Sequence, residues 1–471
     1  MKILLINPNR MKPPVAPIAL DYLASALVDE GHAVEVLDLC FSDNPIDDVR
    51  RCLASNSISA VAVTLRNTDD TSFATRDFIL PWVRRVIDCV RENTDAPVII
   101  GGSGYSVAPE GVLDFCGLDV GVWGEGEHSL PLLVDRITKG EDYRDVQGVV
   151  YRDAASYRRV APRYIDLENR AAPRRQSIDN LRYYMEGGMG GIETKRGCPK
   201  ACIYCADSLC KGSLMRLRSP SSVADEIETL LGIGVDHLHI CDSEFNYPYE
   251  HAASVCREII DRKLGDRVRW YAYCSATPFD EELARMFLQA GCAGVNFGVD
   301  SACDRVLQTL GRDFTAADVE NTARICHRQG LVFMYDLLLG GPGETRESLR
   351  QTIESMKRMS PHRVGASLGV RIYPGTALAD MVLGQGPVDI NPDIHGAADG
   401  LFLEPAFYLS SELGEGAADY LGRLIGGDER FMFMSGDPSD SNYNYNDNNI
   451  LVDAIKSGYR GAFWDILRRL A

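Results

Sequence analysis

Three cysteines lie close together near the middle of the chain, in a loop that also contains glycine and proline. Cys198, Cys202 and Cys205 form a C-x3-C-x2-C pattern, with Gly197 and Pro199 on either side of the first cysteine. A [4Fe-4S] cluster held by protein alone takes four thiolates, so three thiolates leave one iron open for another ligand. Glycine frees a loop backbone and proline stiffens it, and both effects suit a loop that wraps a cluster. The motif therefore predicts a cluster that takes part in chemistry.

The open iron suits S-adenosylmethionine, which can chelate a metal through its amine and carboxylate. An electron passed from the reduced cluster into the adjoining sulfonium would break a carbon–sulfur bond and release a 5′-deoxyadenosyl radical. That chemistry belongs to the cofactor, while the protein binds and orients it. The three cysteines are therefore candidate metal ligands, and the neighbouring Tyr204 is a candidate cofactor-binding residue.

Two other interpretations of the cysteines remain open at this point. Cys210 follows Cys205 by five residues and could complete a four-cysteine zinc or iron-sulfur site. Zinc sites, however, usually consist of two closely spaced pairs separated by a longer stretch. The cysteines could also be buried packing residues in a chain that contains 14 of them. That interpretation leaves the spacing and the Arg-Gly-Cys-Pro context at residues 196–199 unexplained.

Residues 196–205 resemble the signature of the radical S-adenosylmethionine superfamily, whose members fold as partial (β/α)6 barrels. Around this loop the sequence alternates apolar strand-like runs with segments of helix length. Six such units form an open parallel barrel with its site at the carboxyl ends of the strands. The predicted barrel strands are residues 191–194, 237–241, 268–273, 294–299, 332–339 and 364–372.

Two carboxylates follow the second predicted barrel strand. By resemblance, the segment that contains Asp242 and Glu244 occupies the place of the superfamily's Gly-Gly-Glu loop, although it lacks the glycines. A carboxylate there accepts hydrogen bonds from the ammonium group of bound S-adenosylmethionine. We expect Glu244 to have this role, with Asp242 as the second candidate. The alternative is a solvated carboxylate at the rim of the barrel.

Loops after the fourth and fifth strands also resemble cofactor-binding segments of the superfamily. Ser301 and Arg312 match the segment in which polar groups approach the ribose and the methionine carboxylate. Their alternative roles are helix capping by Ser301 and a surface ion pair formed by Arg312. Gly340 and Gly341 match the loop near the adenine, where glycine permits close approach of the backbone.

Tyr271, Tyr273 and Tyr335 lie near the predicted barrel strands and could line a pocket for an aromatic or amphipathic substrate. Of these, Tyr273 is the catalytic candidate; packing in the core is the alternative for all three. In the C-terminal segment, the Asn/Tyr tract at residues 442–449 and Trp464 could close the mouth of the barrel. Their alternatives are a polar loop and a core anchor.

The length of 471 residues allows two or three domains, and 45% hydrophobic with 25% charged residues is typical of a globular protein. A net charge of −18 argues against nonspecific nucleic-acid binding, because there is no basic surplus to neutralise phosphates. The first apolar run is too short for a secretion signal, and no later run reaches the length of a membrane span. With 14 cysteines and no signal, we expect a cytoplasmic protein.

The first 150 residues alternate strand-like and helical segments, which predicts an α/β, Rossmann-like, doubly wound parallel sheet. Ligands of such folds bind at the carboxyl ends of the strands. The predicted strands are residues 3–6, 33–39, 60–65, 98–100 and 120–123. The predicted domains are residues 1–150, a linker at 151–185, the barrel at 186–375 and a small α+β cap at 376–471.

The N-terminal domain resembles the cobalamin-binding module that precedes the barrel in the cobalamin-dependent class of radical S-adenosylmethionine enzymes. Its glycines would let a nucleotide tail lie against the sheet, as in other doubly wound folds. A domain that has lost its ligand and serves only packing is the alternative. The candidate cofactor-binding residues are Asn7, Thr64, Leu65, Arg66, Gly101, Gly102, Ser103, Gly124, Glu125, Gly126 and Glu127.

The D-x-H-x-x-G motif that places a histidine beneath the cobalt of many cobalamin proteins is absent from this sequence. Arg66 stands at the end of the third predicted strand, where the lower face of the corrin is expected. A guanidinium has no lone pair to donate, so it would leave the cobalt without a protein ligand. A similar arginine is a feature of the tryptophan C2-methyltransferase branch of this class. The alternative is an ion pair between Arg66 and Asp69 or Asp70.

The resemblance implies a C-methyltransferase that moves a methyl group from S-adenosylmethionine, through methylcobalamin, to a carbon of a small-molecule or peptide substrate. In most members a second S-adenosylmethionine gives the radical, and Arg66 makes a polar variant possible. A flavodoxin or ferredoxin is the expected electron donor. The alternatives are a cobalamin-dependent enzyme that cyclises, rearranges or oxidises its substrate, and a non-catalytic cobalamin sensor or carrier.

Overall fold

The N-terminal domain is built on a seven-stranded sheet in the computed structural model, which describes residues 1–397, 399–434 and 448–471. The strands are β1 (Lys2–Asn7), β2 (Ala33–Asp38), β3 (Ala60–Thr64), β4 (Val98–Gly101), β5 (Val120–Val122), β6 (Val149–Asp153) and β7 (Ser156–Arg159). The helices are α1 (Ile18–Asp29), α2 (Pro45–Ser55), α3 (Leu80–Asn93), α4 (Ser103–Val107), α5 (Pro109–Cys116) and α6 (Gly126–Lys139).

The strand order of this sheet is β2-β1-β3-β4-β5-β6-β7, and the first five strands are parallel. Strands β1 and β3 are continuous apolar runs because helices cover both faces of a doubly wound sheet. The predicted α/β fold is thus confirmed. Strands β6 and β7 are antiparallel and extend the sheet to Arg159, into the segment interpreted from the sequence as a linker.

The second domain is an open barrel whose strands follow the predicted alternation. Its strands are β8 (Gly190–Ile192), β9 (Lys195–Arg196), β10 (Arg216–Leu217), β11 (His237–Ile240), β12 (Arg269–Cys274), β13 (Cys292–Asp300), β14 (Phe333–Leu339) and β15 (Arg363–Leu368). Its helices are α7 (Asn180–Gly187), α8 (Asp207–Lys211), α9 (Pro220–Gly232), α10 (Tyr249–Asp261), α11 (Glu281–Gln289), α12 (Asp304–Thr309), α13 (Ala316–Gln329) and α14 (Arg346–Met359). Strands β9 and β10 form a separate antiparallel pair.

The C-terminal segment forms a small cap and also completes the barrel. Its elements are β16 (Val370–Arg371), α15 (Ala377–Gly384), β17 (Ile394–Gly396), β18 (Ala406–Tyr408), α16 (Ala417–Ile425), β19 (Phe431–Phe433), α17 (Asn449–Lys456) and α18 (Phe463–Leu470). Strands β16, β18 and β17 form an antiparallel sheet. Strand β19 lies parallel to β15 and is the seventh strand of the barrel sheet. This strand was not predicted, because three residues far along the chain carry no periodic signal.

Helix α18 closes the barrel at the end where its strands begin. Trp464 packs edge-on against Tyr271 with ring centroids 6.0 Å apart, and the Tyr271 hydroxyl donates to Asp465 Oδ2 at 2.8 Å. Trp464 is therefore the core anchor of the C-terminal segment and not a lid. The neighbouring Asn/Tyr tract falls outside the described residues, apart from its last two positions.

Tyr271 and Tyr335 are buried packing residues, so for these two the packing interpretation holds. Tyr271 is held by the contacts to α18, and the Tyr335 hydroxyl donates to the Val319 carbonyl of α13 at 2.6 Å. Tyr273 lies two residues further along β12 than Tyr271, closer to the carboxyl end of the strand. Its side chain is 39% exposed, so of the three tyrosines it alone retains access to the barrel mouth.

A buried ionic network fastens the N-terminal domain to the barrel. Arg175, in the connection between the domains, donates from Nε to Asp21 Oδ2 of α1 at 3.1 Å and from Nη1 to Glu226 Oε1 of α9 at 2.6 Å. Its Nη2 donates to Asn180 Oδ1 at 2.7 Å. Arg218 also pairs with Glu226, and the side chains of Arg175, Asp21 and Glu226 are fully buried. Removing one partner of a buried ion pair is strongly destabilising, because the other charge is left buried and unpaired.

Among the described residues, no helix combines the length and the apolar character that crossing a membrane requires.

Replacing Arg175 by methionine should lower the free energy of unfolding by about 3–5 kcal/mol, because Asp21 loses its buried counter-charge. The neighbouring Arg174→Met is the matched control, since Arg174 and its partner Asp29 are 50% and 58% exposed. Exposed pairs contribute about 0–1 kcal/mol. Chemical denaturation of both variants measures the difference. Equal losses in the two variants would show that the buried network does not hold the domains together.

Candidate active site

The cysteine loop lies between β9 and α8, at the carboxyl end of β8. Gly197 opens it with φ +88°, and a Cβ there would lie 2.1 Å from the Leu214 carbonyl oxygen, so only glycine fits. The Cys198 amide donates to the Gly212 carbonyl at 3.1 Å. Cys198 and the other two cysteines of the motif line one side of a cavity of about 180 Å³. The loop thus presents the three thiols to a single space.

Cys210 does not belong to this group. Its thiol is buried and donates to the Ser103 carbonyl of the N-terminal domain at 3.3 Å, and it does not line the cavity. Within the described ranges no set of three or more His, Cys, Asp or Glu side chains converges on a single metal ion. A cubane differs from a single ion because each thiolate binds its own iron. The three-cysteine arrangement therefore fits a cluster better than a zinc ion completed by Cys210.

Glu244 faces the cysteines across the cavity and has an unsatisfied oxygen. Its Oε1 lies 3.4 Å from Arg312 Nη2, whereas its buried Oε2 has no hydrogen-bond partner among the described residues. Burial raises the pKa of Glu244, and the charge of Arg312 opposes that shift. A buried acceptor without a donor is rare in folded proteins unless a ligand supplies the donor. The side chain therefore fits the ammonium group of S-adenosylmethionine.

Arg312 provides the positive charge of the cavity. Its Nη1 lies 3.1 Å from Cys202 Sγ, its Nη2 donates to the Gly298 carbonyl at 2.6 Å, and its plane stacks over Phe314 at 4.7 Å. These contacts hold the guanidinium beside the cluster site. Arg312 is thus not a surface residue, and its position suits a carboxylate ligand.

Asp300 is a cavity residue that the sequence interpretation missed. It accepts a hydrogen bond from the Tyr204 hydroxyl at 2.6 Å and lies 3.4 Å from Arg312 Nε. Its φ of +61° is unusual for a residue other than glycine, and such strain concentrates at functional sites. Its position directly before Ser301, in the motif after the fourth barrel strand, is the sequence feature that could have identified it.

Two predicted cofactor-binding residues support the site from outside the cavity. Asp242 accepts from the Thr194 amide at 2.8 Å and from Lys195 Nζ at 2.9 Å, so it anchors the strand that leads into the cysteine loop. Ser301 Oγ accepts from the Cys303 amide at 3.1 Å, just before α12. Neither residue lines the cavity. Ser301 thus binds the backbone just before α12 without capping that helix, whose N-cap is Cys303.

Gly340 and Gly341 allow protein to pack against protein. A Cβ on Gly340, which has φ +86°, would lie 2.4 Å from Leu409 Cδ1. A Cβ on Gly341 would lie 3.0 Å from Leu310 Cδ2. Both glycines are buried, and neither of them lines the cavity beside the cysteines. The close approach that the sequence predicted at this loop thus involves leucine side chains of the protein.

A second cavity, of about 600 Å³, opens between the two domains. Its N-terminal wall consists of loops that follow β1 and β3, and its barrel wall comes from the ends of β14, β15 and β16. Tyr204 lines both cavities, so the two spaces adjoin at this side chain. The lining residues are Pro8, Asn9, Arg10, Met11, Asn67, Asp70, Thr71, Asp77, Phe78, Ile79, Trp82, Tyr204, Leu338, Ser367, Gly369, Val370, Arg371 and Tyr373.

The loop after β3 is fixed to the cap sheet by a buried ion pair. Arg371 donates from Nη2 and Nε to Asp69 Oδ2 at 2.9 and 3.0 Å, and both side chains are almost completely buried. Phe73 of the same loop packs on Phe407, with ring centroids 5.7 Å apart. A Cβ on Gly369 would lie 2.6 Å from the Phe73 ring, so this position requires glycine. These contacts set the width of the cavity between the domains.

Arg66 follows β3 by two residues and forms no ion pair with Asp69 or Asp70, so the alternative interpretation of Arg66 is wrong. Asp69 is occupied by Arg371, and Asp70 accepts from backbone amides of its own loop. Arg66 Nη1 instead lies 3.5 Å from Met11 Sδ, and no carboxylate among the described residues pairs with it. Burial lowers the pKa of His239 in β11 to about 4; the charge of Asp242 opposes that shift and the charge of Arg66 adds to it.

The glycine loops of the N-terminal domain approach the strand ends closely. Gly102 has φ +105°, and a Cβ there would lie 2.5 Å from the Leu65 carbonyl and 2.9 Å from Thr64 Oγ1. Ser103 begins α4 directly after this turn. Gly101 ends β4 beside β5, while Gly124 has φ +80° in the loop that follows β5. Gly102 thus allows the turn after β4 to pack against the end of β3, whereas the positive φ is what favours glycine at position 124.

Asn7, Glu125 and Glu127 bind protein groups. Asn7 Nδ2 donates to Asp38 Oδ1 at 2.9 Å and to the Tyr183 hydroxyl at 3.0 Å. Glu125 Oε2 accepts from the Ile165 amide at 2.9 Å.

Glu127 Oε1 lies 2.7 Å from Arg196 Nη2, and Arg196 immediately precedes Gly197 of the cysteine loop. A Cβ on Gly126 would lie 2.7 Å from Leu23 Cδ2, which explains the glycine between the two acids. The acidic pair therefore links the N-terminal domain to the cysteine loop and does not line either cavity.

Glu244→Gln should weaken binding of S-adenosylmethionine about 10- to 100-fold, because a hydrogen bond to a charged buried group contributes about 1.5–3 kcal/mol. Equilibrium dialysis with the reconstituted protein measures this. Glu281→Gln is the matched control, since that carboxylate lies on α11, is 40% exposed and pairs with Arg328. An unchanged dissociation constant in Glu244→Gln, with the cluster intact, would exclude the assigned role.

Comparison with known proteins agrees with this geometry. The B12 binding domain family matches residues 9–134, and the Radical SAM superfamily matches residues 192–356. Tryptophan 2-C-methyltransferase of Streptomyces laurentii is 32% identical over 98% of this chain and 95% of that enzyme. An uncharacterized methyltransferase of Pyrococcus horikoshii is 28% identical over 80% of this chain and 82% of its own length.

Among solved structures, the radical S-adenosylmethionine methyltransferase TsrM of Kitasatospora setae, with tryptophan and an S-adenosylmethionine analogue bound, has a TM-score of 0.92 to this chain. The two are 33% identical, and the match covers 99% of this chain and 97% of that one. TsrM has also been solved with cobalamin and a [4Fe-4S] cluster bound. The resemblance carried by the cysteine loop and the N-terminal glycines is thereby confirmed, and the chain belongs to the cobalamin-dependent radical S-adenosylmethionine methyltransferases.

Proposed function

We propose that this enzyme methylates a ring carbon of tryptophan or of a closely related indole. The observation that carries the proposal is the junction of the two cavities at Tyr204, which brings a cluster site and an interdomain cofactor site to the same barrel mouth. Similarity over almost the full length to a tryptophan 2-C-methyltransferase supports the choice of substrate. Two cyclases are also similar to this chain, but they are only 26% and 25% identical to it over 50% and 77% of its length.

The roles of the side chains follow from their positions. Cys198, Cys202 and Cys205 hold the cluster, Glu244 accepts from the ammonium group of S-adenosylmethionine, and Arg312 pairs with its carboxylate. When bound, cobalamin supplies a carrier for the methyl group between S-adenosylmethionine and the substrate carbon. The protein contributes proximity, because one barrel mouth keeps both cofactors and the substrate within reach of each other.

Arg66 is proposed to face the lower side of the corrin. Arg66 lies just after β3, and its guanidinium lacks a carboxylate partner within the described part of the chain and lies beside Met11 of the interdomain cavity. A protonated guanidinium repels a metal cation and offers it no electron pair. Such a neighbour favours transfer of the methyl group as a cation, and hence a polar attack by an electron-rich ring.

We propose a flavodoxin or ferredoxin as the electron donor, because clusters of this type commonly work at low potential.

A cytoplasmic location is proposed because the cysteines are not paired in disulfides. All 14 cysteines lie in the described residues, and each of them is a free thiol in the structure. Free thiols in this number are typical of a reducing compartment.

Transfer of the methyl group can be followed with S-adenosylmethionine labelled in the S-methyl group. With reconstituted holoenzyme, reductant and tryptophan, we expect a product that has gained the full label, detected by mass spectrometry. A product formed without label would indicate rearrangement or oxidation in place of methyl transfer. Bound cobalamin with no turnover of S-adenosylmethionine would instead indicate a sensor or carrier.

Arg66→His should add a nitrogen ligand to the bound cobalt, because a neutral imidazole has the lone pair that a guanidinium lacks. Electron paramagnetic resonance of the cobalt(II) form should show nitrogen hyperfine splitting in the variant and none in the wild type. Arg66→Leu controls for loss of the positive charge and should show no splitting. The same spectrum in all three proteins would place Arg66 away from the metal.

A further inference from the structure

The interior of the barrel is polar toward the carboxyl ends of its strands. Barrel cores of this kind are usually filled with branched apolar side chains. Here consecutive strands carry polar groups at this level, above the floor that Trp464 and Tyr271 form. The polar residues are His239 of β11, Tyr273 of β12, Asn296 of β13, Asp336 of β14 and Ser367 of β15.

Contacts across the strands show that these side chains share one space. His239 and Tyr273 meet edge to face with ring centroids 5.3 Å apart, and Tyr273 pairs in register with Asn296. Asn296 in turn bonds to Asp336. Tyr273 lines the cluster cavity, while Ser367 lines the interdomain cavity, so this polar layer lies beneath the junction of the two.

Asn296 and Asp336 form the most polar part of this layer. Asn296 Nδ2 donates to Asp336 Oδ2 at 2.6 Å, which fixes the orientation of the amide. The opposite atom, Asn296 Oδ1, is buried and has no hydrogen-bond partner among the described residues, and the residue is only 6% exposed. A buried carbonyl oxygen without a donor is costly, and a carboxylate beside it adds a negative charge. The pair is therefore complementary to a cationic donor.

We propose that Asp336 and Asn296 bind the ammonium group of an amino-acid or amine substrate. This inference rests on the proposed function and assigns the substrate's polar end to this pair. An ammonium has three N–H donors and no acceptor, so it can donate to Asn296 Oδ1 while the Asp336 carboxylate attracts its positive charge. Tyr273 lines the cluster cavity and Leu338 lines the interdomain cavity, and the aromatic face of Tyr273 suits the ring of such a substrate.

The test compares ligands with and without the ammonium group. Binding of L-tryptophan and of indole-3-propionate to the holoenzyme is measured by calorimetry in the presence of an unreactive S-adenosylmethionine analogue. Wild type should bind tryptophan at least about 10-fold more tightly, since a buried charge-assisted contact has that effect. Asp336→Asn keeps the shape of the side chain and should weaken tryptophan binding about 10- to 100-fold, with indole-3-propionate changed less than about 2-fold.

Two further variants make the result specific. Asn296→Ala removes the unsatisfied acceptor and should weaken tryptophan binding several-fold. Glu354→Gln removes an equal charge from α14, where the carboxylate is 53% exposed and pairs with Arg350, and should leave both affinities unchanged. Thermal unfolding verifies that each variant is folded. L-Phenylalanine and 3-phenylpropionate, as a second matched pair, separate recognition of the ammonium from recognition of the indole.

Unchanged tryptophan binding in Asp336→Asn, or an equal loss for both indole ligands, overturns the inference. If tryptophan binds normally but gains no label in the methyl-transfer experiment, the proposed function is wrong, whereas the ammonium site is still supported. If L-phenylalanine and 3-phenylpropionate bind but the indole ligands do not, and Asp336→Asn weakens binding of L-phenylalanine alone, the ammonium site is supported for a substrate with a different ring. If wild type prefers neither amine over its deaminated analogue, the site is excluded.

Discussion

The buried network around Arg175 is the interaction on which the site geometry depends. The larger cavity is not complete within one domain, because it has loops of the N-terminal sheet on one side and barrel strand ends on the other. Arg175 joins Asp21 of one domain to Glu226 of the other with all three side chains out of water. Burial of charge is costly, so the network contributes a unique arrangement more than it contributes net stability.

Two further buried ion pairs connect the domains close to the proposed active site. Glu127 pairs with Arg196 at the start of the cysteine loop, and Asp69 pairs with Arg371 at the wall of the interdomain cavity. The first links the start of α6 to the barrel, and the second links the loop after β3 to the cap sheet. Because the pairs are buried, a change in the position of one domain would break charged hydrogen bonds at the cluster loop and at the cavity wall together.

Much of this fold can be predicted from sequence, since parallel strands covered on both faces appear as short apolar runs. The six barrel strands and the five parallel N-terminal strands were found in this way, and the cysteine spacing identified the cluster loop. The features that the sequence did not predict depend on contacts between strands that are distant in the chain. Strand β19 is too short for periodicity, and the inward orientation of Asn296 and Asp336 follows from register with neighbouring strands.

Residue roles were predicted less well than elements, for a physical reason. A motif indicates which loop lies near a cofactor, but not which side chain of the loop turns inward. Asp242 and Ser301 turn toward backbone amides, while Glu244 and Asp300, close by in the same loops, line the cavity. Glu125 and Glu127 looked like ligands of a cofactor because they flank a glycine, yet long-range partners such as Arg196 determine their orientation.

Two unsatisfied acceptors in the barrel agree with the proposed ligand positions. Folded proteins rarely leave buried donors and acceptors unpaired, because each one costs about 1–3 kcal/mol. Nine side-chain atoms of the described residues are of this kind, and two of them are Glu244 Oε2 and Asn296 Oδ1, which lack donors. Arg312, by contrast, already has the Gly298 carbonyl and two carboxylates beside it. In the proposed arrangement the ammonium of S-adenosylmethionine supplies the donor to Glu244, and the ammonium of the substrate supplies the donor to Asn296. Binding of both ligands would thus offset the free energy that these two unsatisfied acceptors cost.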